Sequence, residues 1–243
     1  MPKGYKKIHG VAALLAALAA LPPAHASNKV SSPDITGGRI ELEDRGGYDF
    51  DGNPGRDGDQ LHKFVANYAP LDFYRTEIKG VLADDGSGYN WTYIEWSHRF
   101  QLIKNDDWLP KLSLQGNYKF SLRPNQSDKF ESTILMQKDT GPFTHVTNIN
   151  FENDIGGWAR PGTNFNFGWK SKYNHSKHVE PGAELYMDFG RFGASTSGPR
   201  RYQFGPAVYG KIMDEMKYEL GFLFGLTQAA PTGRLKWILT YSF

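Results

Sequence analysis

Residues 111–123 read Lys111-Leu112-Ser113-Leu114-Gln115-Gly116-Asn117-Tyr118-Lys119-Phe120-Ser121-Leu122-Arg123. On an extended chain, successive side chains point to opposite faces. Here Leu112, Leu114, Tyr118, Phe120 and Leu122 fall on one face, and Lys111, Ser113, Gln115, Asn117, Lys119, Ser121 and Arg123 on the other. A period of two sustained over this length predicts a β-strand with one apolar and one polar face. The pattern recurs at Asn164–Asn174, Arg201–Ile212, Lys217–Thr227 and Arg234–Phe243. Weaker alternation places further strands near Arg39–Asp44, Leu61–Tyr68, Phe73–Leu82, Trp91–Ile103, Lys129–Gln137, Phe143–Glu152 and Ala183–Gly190. That makes about twelve strands, in a range of ten to fourteen. Clusters such as Asn105-Asp106-Asp107, Pro124-Asn125, Asp139-Thr140-Gly141-Pro142, Gly198-Pro199 and Pro231-Thr232-Gly233 separate them as turns. After residue 30 no window holds helical spacing, so the chain reads as all-β and as one domain.

Alternation alone fits two architectures. In a soluble sandwich the apolar face is the core. In a membrane barrel it faces lipid, and the polar face lines the lumen. Three features favour an antiparallel up-and-down transmembrane barrel. The strands run ~9–11 residues or more, as a tilted membrane strand must, whereas soluble strands cluster at ~5–6. Tyr74, Trp91, Trp108, Trp158, Trp169, Tyr173 and Tyr241 sit near strand ends, where interfacial girdles place amphipathic rings. The connections are unequal: Arg45–Gln60 reads as a long Gly/Asp-rich loop, while Met213–Met216 is tight.

Residues 1–26 have the form of a secretory leader. Lys3, Lys6 and Lys7 precede an apolar run from Val11 to Leu21, then Pro22-Pro23 and the small-residue site Ala24-His25-Ala26. Its removal leaves residues 27–243 as the mature barrel domain. It also corrects the charge. The whole chain carries 28 Lys+Arg against 26 Asp+Glu. Without the three leader lysines the balance is 25 against 26, so bulk attraction to nucleic acid is not expected. With no cysteine in the chain, disulfide scaffolds and thiolate metal sites are excluded. No cofactor or metal is expected.

The chain ends on Leu235, Trp237, Leu239, Tyr241 and a terminal Phe243, all on one strand face. Together with the leader, this resembles the Gram-negative outer-membrane β-barrels. In that family such a terminal strand is the signal read by the barrel-assembly machinery. The resemblance implies export to the outer membrane, contact with its lipid, and assembly by that machinery, with Trp237, Leu239, Tyr241 and Phe243 as the signal. In length and strand number the chain is similar to the small, monomeric, twelve-stranded porins for acidic sugars, although no signature of theirs is matched residue by residue.

If the polar faces line a lumen, they place sixteen bases against nine acids inside it. The candidate anion path comprises Arg75, Lys79, Arg99, Lys119, Arg123, Lys170, Lys172, Arg201, Lys211 and Lys236. The inward acids are Glu41, Glu43, Glu77, Glu95, Glu131, Glu152, Glu184, Asp188 and Glu219, while Asp44, Asp49, Asp51, Asp57 and Asp59 fall in the first loop. A passage lined by one sign of charge concentrates the opposite ion. The expectation is therefore a channel for passive diffusion of small anionic solutes, acting as a monomer. Two alternatives stay open. The bases could pair with the inward acids and fill the barrel, leaving the loops Arg45–Gln60 and Asn153–Thr163 to bind a partner. Or the barrel could be a lipid hydrolase. Against the latter, His98 and Ser97 are strand neighbours on opposite faces and cannot form a dyad directly. His175 and His178 read as a solvated turn. Glu184 and Asp188 share a face but have no visible sugar cleft. The sequence therefore predicts a non-enzyme.

Overall fold

The alternating stretch around Lys119 forms a strand, and eleven others join it in a computed structural model that describes residues 28–84, 88–104, 108–193 and 200–243. In chain order they are β1 (Ile40–Phe50), β2 (Gln60–Leu71), β3 (Tyr74–Asp84), β4 (Tyr89–Ile103), β5 (Lys111–Ser121), β6 (Asp128–Thr140), β7 (Phe143–Ile155), β8 (Thr163–Tyr173), β9 (Glu180–Phe192), β10 (Arg201–Met213), β11 (Met216–Gly225) and β12 (Gly233–Ser242). Each pairs antiparallel with its chain neighbours, and β1 pairs with β12 to close the barrel. Closure satisfies every strand edge, which a structure in lipid requires. The leader and the turns at 105–107 and 198–199 lie outside the described residues.

The two faces are assigned by their burial. On β4, Glu95, Ser97 and Arg99 are buried, while Ile94, Trp96 and Phe100 are exposed. On β3, Glu77 and Lys79 are buried, and Ile78 between them is 61% exposed. Charge inside and Ile, Phe and Trp outside is the reverse of a soluble sandwich. It is the arrangement of a transmembrane barrel, whose outer band meets hydrocarbon. The strands, 10 to 15 residues long, are long enough to cross.

The two ends differ. At one, three of the five connections, 72–73, 141–142 and 214–215, have two residues each, and 104–110 and 174–179 are longer. At the other, none is as short as two residues, and 51–59, 122–127, 156–162 and 226–232 run from six to nine. Both β1's start and β12's end lie at the short-turn end.

The first strand corrects the sequence reading. The expected loop from Arg45 to Gln60 is strand as far as Phe50, and the connection shrinks to 51–59. Gly46-Gly47 reads as loop punctuation, but Gly46 lies on the outer face directly under the indole of Trp237, where any Cβ would collide with the ring. The glycine is a packing requirement within a strand. Two acids assigned to the loop therefore move onto β1. Asp49 enters the lumen and pairs with Arg234. Asp44 faces outward, within reach of His62 Nδ1 at 3.2 Å and Trp237 Nε1 at 3.4 Å. A second correction concerns Arg123. β5 ends at Ser121, so Arg123 lies in the 122–127 turn and not on a lumen-lining strand.

Before β1, residues 28–36 run inside the barrel. Val30 is fully buried and Ile35 nearly so. Regular pairing begins only at Gly38, whose N–H bonds Ala69 O at 2.7 Å.

Candidate functional site: the charged lumen and its inner segment

Alternation aims one residue in two at the barrel axis, so twelve strands bring many charges into a small volume. They organise into paired clusters. On β3 and β4, Glu77 accepts from Arg75 at 2.5 Å and lies 3.1 Å from Lys79 and 3.6 Å from Arg99. Lys79 also donates to Ser97 Oγ at 2.6 Å, and Ser97 to Asn117 at 2.7 Å. Lys63 holds Glu95 at 2.8 Å. Lys119 bridges Glu131 at 3.0 Å and Glu152 at 2.6 Å, and Lys129 holds Glu152 at 2.7 Å. Across the barrel, Lys236 donates to Glu184 at 2.6 Å, and Tyr186 and Tyr209 donate to the same carboxylate. A buried charge is tolerable only when paired in this way.

The anion-path residues therefore occupy different places. Lys79, Arg99, Lys119 and Arg201 line one cavity of about 380 Å³. Arg75 is paired with Glu77, Lys172 with Glu180 at 2.7 Å, and Lys236 with Glu184. Lys170 lies 3.4 Å from Glu219 and stacks over the Tyr209 ring. Lys211 sits near the short-turn end of β10, and Arg123 in its turn. Among the described residues Arg201 makes no ion pair, and it is exposed.

Other members of the cavity wall escape the strand reading. Arg45 was placed in a loop but is on the lumen face of β1. Lys29 belongs to a segment with no strand pattern. Together with Lys63 and Arg234 they raise the wall to eight bases against three acids, Glu95, Glu131 and Asp188. All eight except Arg201 have a carboxylate partner: Lys29 and Arg45 share Glu43, and Arg234 takes Asp49.

The inner segment forms the floor of this cavity, where Asn28, Lys29 and Ser31 line it. Its backbone is held by lumen side chains. Asn148 accepts from Ser31 N at 2.7 Å and donates to Ser31 O at 2.9 Å. Arg99 donates to Ser32 O at 2.8 Å, and Ser113 Oγ to Pro33 O at 2.7 Å. Ile35 N donates to Gln101 at 3.0 Å. Where the segment leaves the lumen, Gly37 N donates to Asp72 Oδ1 at 2.9 Å in the β2–β3 turn. That bond, with Lys104 at 3.7 Å, holds the Asp72 carboxyl below its ordinary value.

The enzyme constellations do not assemble. Ser97 is buried in the lumen, while His98 faces outward and bonds Tyr74 at 2.7 Å. Glu184 is fully engaged by three donors. Among the described residues no group of three or more His, Cys, Asp or Glu could hold a metal.

No protein-family model matches the sequence, and no curated relative does. Solved structures do match by shape. The NanC porin superposes with a TM-score of 0.53 at 10% identity, over 83% of this chain and 98% of that one. The translocator domain of the autotransporter NalP from Neisseria meningitidis gives 0.43 at 11%, over 86% and 88%. A bacterial polysaccharide outer-membrane secretin gives 0.44 at 9%, over 88% and 100%. Of these, the first superposes closely enough to support the fold: a closed, all-antiparallel, twelve-stranded barrel of the kind found among outer-membrane porins.

Proposed function

We propose that the protein is an outer-membrane channel for small anionic solutes, exported by its leader and embedded by its apolar outer band. The short-turn end then faces the periplasm and the longer loops face outward, the usual asymmetry of such barrels. The observation that carries the reading is the cavity wall, with eight bases against three acids on a closed barrel wider than the eight strands that side chains alone can fill. Glu43, Glu77, Glu152 and Asp49, which pair with six of these bases, are not among the residues lining the cavity, so the lining itself carries an excess of cationic groups. Gln203 Nε2, in the same wall, is a buried donor with no acceptor among the described residues. Carboxylates and phosphate-type ions are ligands that such a wall can bind and release.

The test is the reversal potential of the purified protein in a planar bilayer under a salt gradient. Anion preference is expected. Arg201→Glu, which changes an exposed and unpaired base, should reduce that preference without unfolding the barrel. Cation preference in the unaltered protein would overturn the reading. A second reading, a filled barrel whose outer loops bind a partner, is favoured by one observation, the inner segment within the lumen.

A further inference from the structure

We propose that residues 28–37 are a displaceable plug, and that an anion in the cavity loosens it by competing for Lys29. This rests on the channel reading and explains why an occupied lumen is compatible with it.

The manner of attachment separates a plug from permanent filler. Filler would extend the strand ladder or bury a continuous apolar face. This segment does neither before Gly38. Its backbone is held by the polar side chains of Arg99, Gln101, Ser113 and Asn148, the Ser32 hydroxyl donates to Gln137, and Pro33 within it has no N–H to give a ladder. Water can replace each of these bonds when the segment leaves, because the wall behind it is itself polar. The apolar anchors are few: Val30, seated against Gly168, and the buried Pro33 and Ile35.

The segment also has a joint. Gly37 precedes the first ladder bond and Gly38 makes it, and Gly38 has a φ of 76°, in the region glycine adopts freely. At the other end, Lys29 is paired with Glu43 and lines the cavity floor. Lys29 is the one charged group that the segment presents to the cavity, beside Asn28 and Ser31, so a solute carboxylate or phosphate there competes with Glu43 for it. The ligand class is thus a small anion, and its binding site and the plug's tip are one place.

The chain has no cysteine, so a pair introduced by Ser32→Cys and Gln137→Cys is the sole target for a cleavable thiol-to-thiol linker. Ser32 Oγ lies 2.7 Å from the Gln137 side chain. Single-channel conductance in KCl is recorded for the unaltered chain, the linked pair, the same pair after cleavage, and a chain lacking residues 28–36. We expect low or flickering conductance in the unaltered chain, closure on linking, recovery on cleavage, and a several-fold larger steady conductance after deletion. Sodium phosphate on the long-loop side should raise the open fraction of the unaltered chain but not of the linked one. Equal conductance with the linker on, cleaved or absent overturns the plug and leaves the channel standing. Conductance from none of the chains, all migrating as folded barrels, overturns the channel and the plug with it. If the deletion fails to fold, the linked and cleaved states still decide the matter.

Discussion

Trp237 of β12 lies flat over Gly46 of β1, across the seam that closes the barrel. The two are direct partners in the β1–β12 register. The indole is 8% exposed although its strand position faces outward, and its Nε1 lies 3.4 Å from Asp44 Oδ2. His62 of β2 packs edge-on against the ring with centroids 5.8 Å apart. One side chain thus ties three strands together at the junction formed last in chain order.

The seam should therefore be sensitive from both sides. Trp237→Ala leaves a groove and takes from Asp44 one of its two partners, and should cost about 3 kcal/mol, the usual scale for removing a buried large aromatic. Gly46→Val pushes the ring away and should weaken closure in the same direction. Urea unfolding of protein in lipid vesicles, followed by tryptophan fluorescence, measures both. A Gly46→Val midpoint equal to the parent's would show that the contact is dispensable.

Lys236 and Glu184 form the most buried ion pair described, at 2.6 Å. Removing one partner of a buried pair strands the other charge, at a cost of about 3–5 kcal/mol. Lys236→Met should therefore destabilise strongly, and the double change Lys236→Met with Glu184→Gln should recover much of the loss. A double-mutant cycle on unfolding midpoints checks this. Additive effects would mean that the two groups are not coupled.

The joint of the inner segment should respond to acid. Asp72 is held below its ordinary value by the Gly37 N–H and by Lys104. A carboxylate depressed in the folded state stabilises that state above its unfolded pKa of about 3.9 and loses the effect as pH falls through the lower folded value. The clasp should be intact at neutral pH and loosen only below about pH 4. Asp72→Asn should remove the pH dependence. Amide exchange at Gly37, corrected for intrinsic rates, reports it directly.

Selectivity should depend on salt. Screening length falls from about 10 Å at 0.1 M to about 3 Å at 1 M ionic strength. The anion-to-cation permeability ratio should thus drop toward that of the bare ions as KCl rises. A ratio independent of salt would indicate discrimination by size instead of by the field of the wall.

Phe243 tests the assembly expectation. Its side chain is 67% exposed and its ring contacts Tyr241, with centroids 4.9 Å apart, while its N–H bonds Ile40 O at 2.9 Å. Phe243→Ala keeps the backbone bond and should leave the unfolding midpoint of refolded protein nearly unchanged, yet lower the amount of barrel assembled in cells. A matched fall in both would make the residue structural and not a signal.

Much of this molecule was legible as text because strand alternation is local. The side-chain period of two assigns each residue of β5 or β12 to a face without any knowledge of its partners, and the strand count and the inward course of Lys79, Arg99, Lys119 and Lys236 followed from it. The reading failed where local cues and tertiary contacts conflict. Gly46-Gly47 looks like a loop unless the indole of Trp237 is known to lie above it. Arg123 continues the β5 alternation on paper, but pairing with β6 stops at Lys119 and Lys129.

The sequence by itself determined the class of solution: extended strands with charge on one face and aromatic and aliphatic side chains on the other, closed by a terminal aromatic strand. Only the tertiary structure decided what the charges do. Which carboxylate neutralises Lys119 or Lys236, and that residues 28–36 lie inside the barrel, depend on positions brought together across the lumen from distant parts of the chain. Such long-range contacts leave no periodic trace along the chain, because they are set by barrel closure and by the cost of leaving a buried charge unpaired.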